Sequence, residues 1–95
     1  MYAALMPPHE LHPYTEAEVA KVSPESGVYV LYQIQVPLHA GGGDNLRDAL
    51  TAACPEFPGA SHFAIEVHSN PRDIEARVNE LRQQFRRVRT SAFVG

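Results

Sequence analysis

Residues 27–47 decide the fold of this chain, and they read Gly-Val-Tyr-Val-Leu-Tyr-Gln-Ile-Gln-Val-Pro-Leu-His-Ala-Gly-Gly-Gly-Asp-Asn-Leu-Arg. Side chains alternate between two faces from Val28 to Val36, which predicts a strand. One face carries Val28, Val30, Tyr32, Ile34 and Val36, and the other carries Tyr29, Leu31, Gln33 and Gln35. A second short strand is predicted over 37–40, after a turn near 35–37. The glycines 41–43 then break that strand, and Asp44 is the predicted N-cap of a helix over 45–54.

The flanking sequence adds two helices and one strand. Thr15 and Glu18 have the spacing of a capping box, which predicts a short helix from Thr15 to Val22. Alternation returns over 62–68 and predicts a third strand. Asn70 and Pro71 have the residue types that open a helix, here one that covers 72–88. Its predicted core stripe is Ile74, Val78, Leu81, Phe85 and Val88.

The element order α-β-β-α-β-α predicts a single small α+β domain, with a three-stranded antiparallel sheet flanked by helices. We expect residues 1–13 to form an irregular lead-in and residues 14–95 to form the domain. A chain of 95 residues with 44% apolar residues is the size of one core. No apolar run approaches the ~20 residues of a membrane-spanning helix. The lone Cys54 fits a reducing compartment, so we expect a cytoplasmic protein without membrane contact.

Charge is unevenly distributed along the chain. Residues 1–71 carry two basic residues against eight acidic ones, a net charge of −6, whereas residues 72–95 carry six arginines against three acidic residues, a net charge of +3. Arg82, Arg86 and Arg89 lie on one side of the last predicted helix. This arginine face is a candidate nucleic-acid-binding surface, a docking surface for an acidic protein, or a simple solvated face.

Two short motifs resemble the signature of the GIY-YIG nuclease family. Gly27-Val28-Tyr29 stands for the first half of the signature, and His39-Ala40-Gly41 stands for the second half, ten residues after Tyr29. The strand order and the helix after the glycines also match, so the resemblance covers residues 15–90. It implies an antiparallel sheet that carries the signature on its first two strands. It also implies hydrolysis of a phosphodiester with a divalent metal ion.

The resemblance further implies which residues occupy the family's functional positions. The tyrosine of the second half-signature falls on His39, and the arginine that holds the phosphate falls on Ala49. The metal-binding glutamate falls on Glu80, in a Glu-Ala-x-x-x-Glu pattern that begins at Glu75. Tyr29 and His39 are therefore the candidate catalytic residues, and Glu80 is the candidate metal ligand. The missing arginine indicates a degenerate member of the family.

We therefore predict a non-catalytic binding module on a GIY-YIG-like scaffold, with no cofactor. Its predicted binding surface is formed by Tyr29, His39 and the glycines 41–43, by the arginine face, or by both. The partner is an unknown protein or nucleic acid, and assembly into a homo-oligomer is left open. The alternative is a divalent-metal-dependent DNA endonuclease that uses His39 and Glu80, and only this alternative implies Mg²⁺.

Overall fold

A computed structural model describes residues 10–94 of the chain, and the side chains of residues 10–86. The elements are, in chain order, β1 (His12–Pro13), α1 (Glu16–Ala20), β2 (Gly27–Gln33), β3 (Val36–Gly43), α2 (Leu46–Ala53), a 3-10 turn (Cys54–Glu56), β4 (His62–Val67) and α3 (Pro71–Val94). The sheet order is β1-β4-β2-β3, and every neighbouring pair is antiparallel. The predicted α+β class and antiparallel sheet are confirmed.

The sheet has four strands, one more than predicted. The additional strand β1 consists of His12 and Pro13, which pair with Phe63 and His62 of β4. A strand of two residues leaves no alternating pattern in the sequence, so periodicity could not reveal it. Strand β1 therefore holds the two residues before Tyr14 at the edge of the sheet, next to β4.

The central strand β2 buries both of its faces, because helices cover the sheet on both sides. On one side, Tyr29 and Leu31 pack with the helices α1 and α2. On the other side, Val28, Val30 and Tyr32 pack with α3. The predicted α3 stripe is confirmed for its described members, Ile74, Val78, Leu81 and Phe85, while the side chain of Val88 lies outside the described residues.

The hairpin between β2 and β3 turns earlier than predicted. Ile34 has a φ of 59°, and the chain reverses at Ile34 and Gln35 rather than near 35–37. A β-branched residue is rarely found in the left-handed region, so the sequence predicted a continuous strand here. Ile34 and Val36, the last two residues of the predicted apolar strand face, therefore lie outside the core, and these residues are 69% and 55% exposed.

The glycines 41–43 belong to β3 and do not break it. They pair in register with Tyr29, Val28 and Gly27 of β2. A Cβ atom on Gly42 would lie 2.5 Å from Cγ2 of Ile74, so a glycine at this position lets α3 approach the sheet closely. The predicted N-cap of α2 was also wrong by one residue: Asn45 caps this helix, and its side chain accepts a hydrogen bond from the Asp48 backbone N–H.

The other two helix starts are confirmed. The Thr15 hydroxyl accepts a hydrogen bond from the Glu18 backbone N–H at 3.2 Å, which caps α1. The Asn70 side chain accepts a hydrogen bond from the Arg72 backbone N–H at 2.9 Å, and Pro71 is the first residue of α3. These caps satisfy backbone donors that have no partner inside the helix.

Candidate functional site

The β3 strand lies at one edge of the sheet, and an aromatic cluster lies on its α2 side. His39 pairs with Leu31 and shares the face that β2 turns toward α2. The His39 ring stacks on Phe57, with 4.5 Å between ring centroids and 22° between planes. The Tyr29 ring lies on the same side, 5.9 Å from the His39 ring. The structure thus brings together Tyr29 and His39, the two candidate catalytic residues.

Two arginines reach the same edge from α3. Nε of Arg82 donates a hydrogen bond to the Ala40 carbonyl oxygen at 3.0 Å, next to His39 in β3. A cavity of about 220 Å³ lies between β3 and α3. Its lining residues are Leu38, His39, Ala40, Arg82, Phe85 and Arg86. Two members of the predicted arginine face therefore line one cavity together with His39, whereas the side chain of Arg89 lies outside the described residues.

Charges of opposite sign act on the Tyr29 hydroxyl at this edge. Burial raises the pKa of Tyr29 above its ordinary value, the nearby carboxylate of Glu56 raises it further, and the Arg82 guanidinium lowers it. Because the net shift is upward, the hydroxyl remains protonated at neutral pH and is a hydrogen-bond donor. Tyr29 is therefore suited to bind an acceptor oxygen rather than to remove a proton.

Glu80, the candidate metal ligand, does not lie at the β3 edge. It is ion-paired with Arg77, whose guanidinium also donates two hydrogen bonds to one carboxylate oxygen of Glu66 and one to the other, at 2.8–3.1 Å. Glu66 belongs to β4, so Glu80 lies on the α3 side of the sheet near β4. His39 lies on β3 and faces α2, so the structure does not bring the candidate catalytic residue His39 and the candidate metal ligand Glu80 together.

The candidate ligand for the divalent metal ion that the family resemblance implies is Glu80, and its carboxylate is ion-paired with Arg77. Among the side chains of residues 10–86, no group of three or more His, Cys, Asp or Glu residues is arranged to hold a metal ion. Ala49, at the position of the family's arginine, packs near Gly43 and carries no polar group. Nearby Arg47 does not replace it, because its Nε donates to the Val22 carbonyl at 2.9 Å.

Two residues of this site, Glu56 and Phe57, were not predicted from the sequence. Glu56 ends the 3-10 turn, and Phe57 follows it, so both lie outside any helix or strand with hydrophobic periodicity. An aromatic residue within a loop that is bounded by Pro55 and Pro58 was the one available sign. Its position against His39 depends on how the turn folds back over the sheet.

The fold, taken as a whole, is similar to a solved structure. This structure is the GIY-YIG N-terminal endonuclease domain of UvrC from Thermotoga maritima, a point mutant bound to its catalytic divalent cation. The TM-score is 0.65 and the identity is 19%, over 74% of this chain and 87% of the other. This chain has a GIY-YIG-like fold. The predicted resemblance is confirmed at the level of the fold.

The sequence of this GIY-YIG-like domain matches no protein-family model and no curated protein. Among the helices within residues 10–94, none is both long and apolar enough to cross a lipid bilayer. The longest, α3, has 24 residues but carries many charged side chains.

Proposed function

We propose that this GIY-YIG-like domain binds nucleic acid through phosphate contacts at the β3 edge and does not hydrolyse it. The observation that carries the proposal is the cavity that Arg82 and Arg86 line together with His39. Guanidinium groups form bidentate, charge-assisted hydrogen bonds with phosphate oxygens. A solved structure with a similar fold is described as an endonuclease domain, which supports nucleic acid as the ligand class.

The charge distribution supports a small contact area. Residues 1–71 carry a net charge of −6, and this acidic body repels a phosphate backbone from most of the surface. In this proposal the phosphate backbone is attracted only to the part of α3 that carries Arg82 and Arg86. This part of α3 and the edge of β3 together form the proposed site. A small basic site on an acidic domain favours a short contact with few phosphates.

The non-catalytic part of the proposal rests on what surrounds the cavity. Phosphodiester hydrolysis requires groups that stabilise the charge of the transition state, and the loss of a single such donor costs about 10²–10³-fold in rate. Ala49 supplies no donor, and Glu80 is held by Arg77 away from His39. The residues at the cavity are therefore suited to hold a phosphate rather than to cleave its ester.

A salt titration tests the proposal. Each phosphate contact lowers log K by about 0.9 per decade of salt for duplex DNA, so contacts from Arg82 and Arg86 together give a slope near −1.8. We expect Arg82→Gln and Arg86→Gln each to reduce this slope by about one unit. Glutamine retains a side-chain donor, so the hydrogen bond from position 82 to Ala40 can persist.

Arg72→Gln is the matched control, because it removes the same charge from α3 about 15 Å from Arg82 along the helix axis. It should leave the slope nearly unchanged. Absence of binding to both duplex and single-stranded oligonucleotides at ~50 mM salt, over the ~10⁻⁴–10⁻⁶ M range of non-specific sites, would overturn the proposal. Cleavage of DNA with Mg²⁺ or Mn²⁺ that is abolished by Glu80→Ala would overturn its non-catalytic part.

A further inference from the structure

The arginine-lined cavity and the aromatic cluster are adjacent, although they lie on different sides of the sheet. His39 belongs to both, since it lines the cavity with Arg82 and Arg86 and also stacks on Phe57. Neither His39 nor Phe57 is fully buried. A ligand that follows the edge of β3 therefore meets two cationic groups and then an accessible aromatic pair.

We propose that this site selects single-stranded nucleic acid, with phosphates on Arg82 and Arg86 and an unpaired base stacked on the His39–Phe57 pair. This inference rests on the proposed function and names its substrate class. In a duplex the base faces are covered by neighbouring base pairs, and only an unpaired base presents a face to a protein aromatic ring. Adjacent cationic and aromatic groups are the features with which proteins bind single strands.

The aromatic pair has a geometry that suits stacking. A plane angle of 22° with 4.5 Å between centroids makes the two rings a parallel stack rather than an edge-to-face contact, so a base would continue the stack on an outer ring face. Tyr29 lies beside His39, is 8% exposed and carries a protonated hydroxyl. A phosphate oxygen or base carbonyl that reaches this margin of the core would accept its hydrogen bond.

His39 lies at the margin of the core on the α2 side, where its ring contacts Phe57 and Tyr29. The core on the α2 side is filled by fully buried side chains, namely Leu31, Leu46, Leu50 and Phe63. Phe57 packs only against the margin of this cluster, and His39 extends the aromatic surface from there to the strand edge.

The experiment compares fluorescein-labelled dT12 with a 12-base-pair duplex by anisotropy, at ~50 mM salt, with the intact domain. We expect the single strand to bind at least tenfold more tightly. Phe57→Leu retains an apolar side chain and removes the aromatic face, and His39→Gln retains a polar side chain without the ring. Each should weaken dT12 binding by roughly 5- to 150-fold, the range for the loss of one stacked base, and change duplex binding by less than twofold.

A matched control lies on the opposite edge of the sheet. His12 of β1 also contacts a phenylalanine, Phe63, with 5.4 Å between ring centroids, but it is remote from Arg82 and Arg86. His12→Gln should leave dT12 affinity unchanged. Circular dichroism and thermal unfolding identify any variant that fails to fold. Phe57→Tyr is a second control, because it retains an aromatic ring and should therefore retain dT12 affinity.

The outcomes separate this inference from the proposed function. Duplex binding that equals or exceeds dT12 binding would overturn the selectivity for single strands while leaving phosphate binding intact. Unchanged dT12 affinity in a folded Phe57→Leu variant would overturn the stacking contact. Absence of binding to both oligonucleotides would instead remove the proposed function, and the inference with it.

Discussion

The side chain of Tyr29 lies directly over the backbone of Gly41. A Cβ atom at position 41 would be 2.6 Å from the Tyr29 hydroxyl oxygen and 2.7 Å from Cζ. The two residues are register partners in β2 and β3, so the tyrosine ring crosses the edge strand. Tyr29 and Gly41 are therefore one packing arrangement across the two strands, in which the glycine leaves room for the tyrosine ring.

We predict that Gly41→Ala destabilises the domain, because the methyl group must displace a buried ring. Overpacking of this kind costs about 1–3 kcal/mol, measurable as a lower midpoint of urea unfolding. Gly43→Ala is the control, since its Cβ would make an ordinary 3.7 Å contact with Ala49. In a Tyr29→Leu background the cost of Gly41→Ala should largely disappear. Equal effects of the two alanine substitutions would contradict this account.

The half-buried Tyr14 and the fully buried Tyr32 should respond oppositely to loss of the hydroxyl group. Tyr14 donates a hydrogen bond to the Leu50 carbonyl, whereas the buried Tyr32 hydroxyl has no hydrogen-bond partner among the residues that the structure describes. Tyr14→Phe should lower the free energy of unfolding by about 1 kcal/mol. Tyr32→Phe should leave it unchanged or raise it, because an unsatisfied buried polar group is removed. Urea unfolding at neutral pH compares the two variants, and a large loss in Tyr32→Phe would mean that its hydroxyl is paired.

Because of the same two tyrosines, we expect the free energy of unfolding to decrease at alkaline pH. Burial raises the pKa of both Tyr14 and Tyr32 from 10.0 to about 12. Between pH ~10 and ~12 the unfolded chain loses these protons while the folded chain retains them, so stability is complete below pH ~10 and falls above it. Each phenylalanine variant should show a shallower decline than the parent chain when unfolding is measured across this interval. If the free energy of unfolding declines as steeply in both variants as in the parent chain, other groups cause the loss of stability at alkaline pH.

Much of the fold was predictable, because the spacing of apolar residues along each strand and helix indicates which of its faces is buried. Alternation in β2 and the apolar stripe of α3 each report a face that must be covered. The hairpin turn was misplaced because Ile34 adopts a backbone conformation that its side chain disfavours. The glycines 41–43 were misinterpreted because Gly41 and Gly42 are required by the neighbouring Tyr29 and Ile74, which no local pattern reveals.

The candidate site was predictable in its parts but not in its arrangement. The sequence indicated Tyr29, His39 and the arginine face as separate candidate surfaces. Their meeting at one edge depends on the packing of α3 against β3, where Gly42 allows Ile74 to approach. Glu80 was grouped with His39 through family resemblance alone, and the pairing of Arg77 with Glu66 turns that side of α3 toward β4.

The two ion pairs of Arg77 should differ in their contribution to stability. Glu66 is only 16% exposed and accepts bidentate hydrogen bonds from Arg77, whereas the Glu80 side chain is 58% exposed. Arg77→Gln should cost about 1–3 kcal/mol, since it leaves a largely buried carboxylate without its main partner. Glu80→Ala should cost less than about 0.5 kcal/mol, as for most exposed pairs. A larger loss in Glu80→Ala than in Arg77→Gln, measured by urea unfolding, would reverse this assignment.

Glu56 should weaken nucleic-acid binding at the β3 edge. Its carboxylate and the Arg82 guanidinium act with opposite sign on the pKa of Tyr29, so both charges lie close to the same hydroxyl. A phosphate bound by Arg82 would therefore experience repulsion from Glu56. Repulsion between two like charges at a protein surface is on the order of 1 kcal/mol, so removal of this charge should strengthen binding about fivefold.

We expect Glu56→Gln to raise affinity for dT12 by this factor at ~50 mM salt, and the gain to diminish as salt screens the charge. Glu16→Gln on α1 is the control, because it makes the same change of net charge on a helix that packs against α2 and not at the β3 edge. The pKa of Tyr29 should also fall in Glu56→Gln, which a carbon-13 NMR titration of labelled tyrosine can measure. A lower pKa without a gain in affinity would mean that the phosphate does not bind near Tyr29, and that Arg82 contacts nucleic acid farther from the strand edge.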